Sequence, residues 1–196
     1  ARDAIGAAMG AILDDTALDD LMRGELLILP GEAYLAEQLT RADPTRIFAE
    51  RESLKRWLGE VLKAKWLSLH DRACAVPYSL EAAARGARKC KTQALVYLAA
   101  ADPAEAARRA RAQYDAATNM TDRQGALMVL CSLDCPEREA ALADFHARFE
   151  GNMLVTDKWF SLQAGSLNPK VTEHVKALSE HPDFTMTNPN RVRALW

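Results

Sequence analysis

The chain of 196 residues is 49% apolar and 27% charged, a composition typical of a folded domain that excludes a disordered chain. Its 25 Lys and Arg residues against 27 Asp and Glu residues leave a formal net charge of -2, which offers no strong positive field to nucleic acid or an anionic membrane. Apolar runs fall short of the roughly 20 residues that span a bilayer, and the first residues lack the pattern of a signal peptide. We therefore expect neither nucleic acid nor a membrane as a partner.

The predicted secondary structure is helical throughout. Apolar residues recur at spacings of three and four, as in Leu142, Phe145 and Phe149, and no alternating strand pattern is present. Ala, Glu and Arg, which favour helices, are abundant between these positions. In chain order, the predicted helices span residues 2–13, 16–28, 31–40, 44–70, 79–99, 103–117, 122–133, 136–149, 153–164, 169–180 and 189 onward.

Seven helix starts are marked by local residue chemistry. An Asp or Asn before Pro supplies a side-chain acceptor for the first free backbone N–H groups, and Pro fits the first helical position because its missing donor is not needed there. A Thr with Gln three residues later is typical of a capping box, and Ser is a common N-cap. The marked starts are Asp43-Pro44, Ser79, Asp102-Pro103, Thr121 with Gln124, Pro136, Asn168-Pro169 and Asn188-Pro189.

Short connections between successive helices predict how the helices pack. Such links make neighbouring helices antiparallel, and a long series of pairs stacks into an array. We predict an all-α fold, an α-solenoid or superhelical array of antiparallel helix pairs that forms a single helical-repeat domain over residues 1–196. In the long segment 44–70, Trp57 and Trp66 are expected to be packing residues without a ligand.

The four cysteines are few for a chain of this length. A large helical core does not need disulfides, so we predict free thiols in a cytoplasmic protein. Cys131 and Cys135 are four residues apart, which suggests a metal site, but Pro136 interrupts the helix and no second ligand pair accompanies them. We interpret both as small buried apolar residues.

Catalytic motifs are missing from the sequence. A zinc peptidase needs two His residues four apart on one helix face with a Glu between them, and the four histidines are scattered. Neither a glycine-rich phosphate loop nor a nucleophile elbow is present. We predict no catalytic residue, metal ligand or cofactor in this chain, with the histidines at the surface or at helix ends: His70, His146, His174 and His181.

Arg191 and Arg193 follow the helix start at Asn188-Pro189. Cationic side chains near a helix N-terminus are disfavoured unless an anion lies nearby. That anion is either an Asp or Glu of the same protein or the carboxylate of a peptide substrate, and exposed Arg side chains also simply extend into water. The sequence leaves these alternatives open.

Four strings of this sequence resemble one protein family. TDKWFSLQA (residues 156–164) and FTMTNPNR (184–191) are too irregular to arise from helix building alone, and DPTRIFAERESL (43–54) and ATNMTDRQGAL (117–127) occur in the matching order. Together they are similar to the C-terminal helical domain of bacterial aminopeptidase N, a zinc-dependent alanyl aminopeptidase, and the similarity covers nearly the whole chain.

The resemblance implies a non-catalytic role. In that family, zinc is held by a separate catalytic domain, and an armadillo- or HEAT-like domain caps the active-site chamber so that only peptides and small amides enter. The partners implied for this chain are the missing catalytic domain and peptide substrates. The match places Arg191 and Asn188 near the substrate path, which implies a role in substrate access or in contacting a substrate carboxylate.

Two other roles stay open. Periodicity and short loops equally permit a free-standing α-solenoid that binds a protein partner, and a fragment can self-associate through surface meant for missing domains. The chain starts without Met and the family continues beyond Trp196, so we expect a piece of a longer protein whose last helix is cut, with disorder or a non-native contact at Trp196.

Overall fold

A computed structural model describes residues 1–196, and its regular structure consists entirely of helices. The all-α prediction is therefore confirmed, and eleven predicted segments correspond to twelve helices. Their bounds are α1 Arg2–Asp14, α2 Asp20–Leu26, α3 Glu32–Glu37, α4 Pro44–Val61, α5 Lys63–Cys74, α6 Ala82–Ala101, α7 Pro103–Ala116, α8 Met120–Cys131, α9 Pro136–Arg148, α10 Met153–Ala164, α11 Val171–Ser179 and α12 Pro189–Leu195.

The single long helix predicted over residues 44–70 is wrong. Helix α4 ends before Leu62, whose φ of -110° and ψ of 16° are not helical, and α5 begins directly after it. Both helices pack against α6. The break brings the Trp66 ring back toward α4, where its Nε1 donates a hydrogen bond of 3.0 Å to the Leu58 carbonyl oxygen. Tertiary packing therefore divides the segment at Leu62, where no Pro stands and the nearest glycine, Gly59, is a buried residue of α4.

Three of the predicted Asx-Pro helix starts are confirmed. The Asp43 carboxylate accepts from the Arg46 N–H at 3.1 Å, and the Asp102 carboxylate accepts from the Glu105 N–H at 3.1 Å. Asn188 caps α12 in the same way. These caps satisfy backbone donors that have no partner within the helix.

Three other predicted starts are wrong in detail. Asn119, not Thr121, caps α8, and Glu81 occupies the N-cap position of α6 in place of Ser79. Asn168 precedes a turn, and α11 begins only at Val171. The Asn168 side chain is buried and makes two hydrogen bonds of 2.8 Å. Its Oδ1 accepts from the Lys170 N–H in the turn before α11, and its Nδ2 donates to the Leu133 carbonyl oxygen, a long-range contact that the sequence did not indicate.

The chain divides into two compact units, residues 1–106 and 107–196, and the boundary falls within α7. In the first unit, α6 is the central helix and contacts α2, α4 and α5. Its Tyr97 ring stacks on Trp66 with 4.2 Å between centroids, and the Tyr97 hydroxyl donates to the Leu27 carbonyl oxygen at 2.7 Å. Trp66 is thus a packing residue as predicted, and Trp57 lies against Gly6 of α1.

In the second unit, α10 is the central helix and contacts α8, α9, α11 and α12. Phe160 is fully buried, and Trp159 packs edge-on against it with 5.2 Å between ring centroids. The Trp159 Nε1 donates to the Leu142 carbonyl oxygen of α9 at 3.0 Å. The string 156–164 therefore builds the core of this unit. The prediction of a single domain over the whole chain stays a prediction.

The four cysteines differ in burial. Cys90 and Cys131 are buried, Cys135 is half-buried at the N-cap of α9, and Cys74 is exposed; all four are free thiols. Trp196 follows α12 and is 74% exposed. None of the helices is both long and apolar enough to span a membrane.

Candidate functional site

The side chain of Arg191 is buried in the second unit. Helix α12 starts at Pro189, and the Asn188 Oδ1 accepts from the N–H groups of Asn190 and Arg191 at 3.0 and 3.4 Å. The Arg191 side chain points back onto α10, where its Nε donates to the Asp157 carboxylate at 2.5 Å. Its guanidinium lies 4.8 Å from the centroid of the Phe160 ring.

These contacts identify the anion that the helix start requires. Arg191 is 5% exposed, and its Nη1 also donates to the Asp183 carbonyl oxygen. Asp157 of the same chain is therefore the internal carboxylate that the sequence left as one alternative. Arg193, by contrast, lies on the exposed side of α12. The predicted role of Arg191 and Asn188 in substrate access stays a prediction.

Asn188 and Arg191 line a cleft of about 380 Å³ in the second unit. The cleft lies where the end of α9, the start of α10 and the start of α12 meet, and Gly151 in the connection between α9 and α10 has a φ of 77°, which favours glycine. Its lining is rich in groups that bind polar ligands or cations: His146, Glu150, Thr156, Asp183, Asn188 and Arg191.

Two histidines and one carboxylate come together at this cleft. The His146 Nε2 lies 2.6 Å from the Asp183 Oδ2, and the His181 Nδ1 lies 3.9 Å from the same oxygen. The hydrogen bond with His146 holds the pKa of the Asp183 carboxyl below its usual value, and burial lowers the pKa of His181. Sequence reasoning missed this cluster, because His146 and His181 are 35 residues apart and share no helix.

The other histidines differ from each other in environment. His70 on α5 is buried, so the prediction that it lies at the surface or a helix end is wrong. His174 on α11 accepts at Nδ1 from the Arg138 guanidinium at 3.0 Å. The four histidines include no pair four residues apart, so this chain does not supply the ligand pattern of a hydrolytic zinc peptidase.

The first unit carries a larger and more apolar groove of about 1190 Å³. It runs between α1, α3 and α4 and the segment before α3, and charged residues at its rim include Arg46 and Glu50. Exposed apolar surface of this kind marks a contact surface more often than a solvated one. Its apolar lining consists of Ile5, Leu29, Leu35, Leu39, Ile47 and Leu54.

Comparisons with known proteins agree with the resemblance noted in the sequence. The family model described as "Domain of unknown function (DUF3458_C) ARM repeats" matches residues 1–196. Aminopeptidase N of Caulobacter vibrioides is 38% identical over 96% of this chain, and that of Escherichia coli is 34% identical over 97%. In each case the chain spans 22% of the relative's length.

A solved structure gives the same result in three dimensions. The crystal structure of Legionella pneumophila aminopeptidase A in complex with aspartic acid superposes with a TM-score of 0.83 at 29% sequence identity, covering 96% of this chain and 23% of that one. The ARM-repeat description agrees with the predicted helical solenoid. The chain thus belongs to the DUF3458_C ARM-repeat family and is a homologue of the C-terminal domain of bacterial aminopeptidase N.

Proposed function

We propose that this chain is the non-catalytic C-terminal domain of a cytoplasmic zinc metalloaminopeptidase, where it caps the active-site chamber and limits access to peptides. The observation that carries the proposal is the match of nearly the whole chain to about a fifth of each aminopeptidase N relative. The parent enzyme would release N-terminal amino acids with a zinc ion held by its catalytic domain. That ion would polarise the scissile carbonyl group and activate water.

The apolar groove supports a contact with the rest of the same polypeptide. Leu39 is 51% exposed and Ile5 is 38% exposed, and both line the groove. Removing such apolar surface from water is favourable by roughly 25 cal/mol per Å². We infer that the catalytic domain of the parent covers this groove and that charged rim residues such as Arg46 orient the contact.

Arg191 and Asn188 have a proposed role in substrate access through the position of α12. Asn188 caps the helix, and the contact of Arg191 with Asp157 holds the helix against α10. Both residues also line the polar cleft, so a shift of α12 would change the shape of that cleft. A direct contact between Arg191 and a substrate carboxylate is the alternative form of this role.

The test uses the complete parent enzyme with Arg191→Met and Asp157→Ala. If α12 controls access, both variants change KM in a manner that depends on peptide length, because both release the helix from α10. If KM rises in Arg191→Met but not in Asp157→Ala, Arg191 contacts the substrate carboxylate directly. Unchanged kinetics across peptide lengths in both variants would reject a role for Arg191. Lys170→Ala, which removes an exposed ion pair with Asp134, is the matched control.

A second experiment tests the domain assignment itself. The purified 196-residue chain is expected to show no turnover of an alanyl amide, and turnover by this chain would contradict the non-catalytic role. Deleting the chain from the parent should broaden the size range of accepted substrates. The alternative, a free-standing α-solenoid that binds an unrelated protein, is not favoured by the relatives named above, which are all much longer aminopeptidases.

A further inference from the structure

We propose that His146, His181 and Asp183 form a binding site for a divalent transition-metal ion, with Zn²⁺ as the first candidate. Ligand atoms from the three side chains all lie within 4.8 Å of one another. Tetrahedral zinc with bonds of about 2.0–2.2 Å places its ligand atoms roughly 3.3 Å apart. Side-chain movements of about 1.5 Å or less would therefore convert the present arrangement into a coordination shell around one ion.

The fold holds the two imidazole rings in place. His146 lies in the last turn of α9, and His181 follows α11. The two rings lie 4.9 and 5.2 Å from the Trp159 ring, measured between centroids, and His181 also lies 5.8 Å from Phe160. One side of the cluster is thus covered by aromatic rings that restrict the rotamers of both histidines. Such preorganisation of ligands favours metal binding.

A metal ion would replace hydrogen bonds that the cluster now makes. Metal binding requires neutral imidazole and an ionised carboxylate. At present the His181 Nδ1 accepts from the Asp183 backbone N–H at 3.1 Å, and the His146 Nε2 lies 2.6 Å from the Asp183 Oδ2. An ion at the centre of the cluster would take the place of the hydrogens in these two contacts.

The type of donor selects the type of metal. Imidazole nitrogen suits Zn²⁺, Cu²⁺ and Ni²⁺, whereas Mg²⁺ and Ca²⁺ prefer an all-oxygen environment. Three protein ligands leave a fourth tetrahedral position, and the adjacent cleft of about 380 Å³ gives a water molecule or an anionic ligand room to occupy it.

The site would act as a clip between α9 and the segment that joins α11 to α12. Asp183 belongs to that segment, and its carbonyl oxygen accepts from Arg191, so a bound ion would also stabilise the start of α12. No residue of the cluster is placed as a general base toward the open position, and we assign binding rather than catalysis. This inference rests only on residues of this chain and does not depend on the proposed function.

The first test is zinc titration of the EDTA-stripped 196-residue chain by calorimetry, together with NMR of its ¹⁵N-labelled histidines. We expect one Zn²⁺ per chain, no binding of Mg²⁺, and zinc-dependent shifts of the His146 Nε2 and His181 Nδ1 signals. His70 and His174 are controls within the same molecule, and their signals should not shift. Absence of zinc binding, or shifts confined to His70 or His174, would overturn the proposal.

The second test compares variants. Loss of partners that only orient metal ligands lowers affinity by about 10–100-fold, so loss of a ligand in His146→Gln or Asp183→Asn should lower zinc affinity by at least about 100-fold. His174→Gln, a substitution in the same unit outside the cluster, should leave the affinity within about twofold, because distant sites act independently. Equal affinity in all variants would place the ion elsewhere and reject the site. If a variant fails to fold, the histidine signals of the unmodified chain decide the question.

Discussion

Asp157→Ala is expected to destabilise the second unit strongly. The substitution leaves the Arg191 guanidinium buried without its carboxylate, and removing one partner of a buried ion pair costs about 3–5 kcal/mol. The Arg191 side chain is 6% exposed and that of Asp157 is 17% exposed, which places the expected loss at the lower end, about 3 kcal/mol. In a chain of this size, each kcal/mol lowers Tm by roughly 2–4 °C, so we expect a decrease of about 6–12 °C.

The assay is urea and thermal unfolding followed by circular dichroism, with hydrogen exchange of the α12 amides as a local measurement. Arg193→Met on the exposed side of the same helix is the control and should change the free energy of unfolding by no more than about 0.5 kcal/mol. The double variant Asp157→Ala with Arg191→Met should lose less than the sum of the single variants, because the two side chains interact directly. An Asp157→Ala variant as stable as the Arg193→Met control would refute the assignment of Asp157 as the partner of Arg191.

Three further outcomes are expected. Gly59→Ala should lower the free energy of unfolding by about 1–3 kcal/mol, because the new Cβ would collide with a backbone carbonyl oxygen of α6. Gly10→Ala should raise it by up to about 1 kcal/mol, because the new Cβ meets only ordinary van der Waals contact. Urea unfolding measures both changes. The pKa of His174 is lowered below 6.5, first by burial and then by the charge of Arg138, so its contribution to stability is full above pH 6.5 and is lost as the pH falls through the lowered value. The free energy of unfolding of His174→Gln in metal-free buffer should therefore change less with pH in that range than that of the unmodified chain. An equal pH dependence in the two proteins would contradict this account. Burial raises the pKa of the Cys131 thiol to about 12, so a maleimide should label this thiol only as the chain unfolds. Mass spectrometry along a urea series detects the labelling. Rapid labelling of the folded chain would contradict this prediction.

Local chemistry accounts for what could be predicted about the helices. The caps at Asp43, Asp102 and Asn188 depend on a side chain and backbone groups within three residues, so the sequence pattern contains all the necessary partners. The break at Leu62 has no such pattern, because packing of two helix segments on α6 produces it. Asn168 makes both kinds of contact: its Oδ1 accepts from the Lys170 N–H two residues later, whereas its Nδ2 donates to the Leu133 carbonyl oxygen 35 residues away, which no local pattern indicates.

The candidate site was less predictable for the same reason. The family strings located Arg191 and Asn188, and the helix-end argument showed that Arg191 needs an anion. The cluster of His146, His181 and Asp183 was not predicted, because metal-site patterns in sequence rely on ligands a few residues apart on one element. His146 belongs to α9 and His181 to the segment after α11, and only their common packing on Trp159 brings them together.

Short-range periodicity, capping residues and local strings were enough to predict the helical class, several helix starts and the family. The partners of the candidate site residues, in contrast, depend on how the helices pack. Asp157 lies 34 residues before Arg191, and the burial of this pair against Phe160 depends on how α12 packs on α10. The energy of such a contact comes from desolvation and from distances between elements, and neither quantity is encoded in the spacing of residues along one helix.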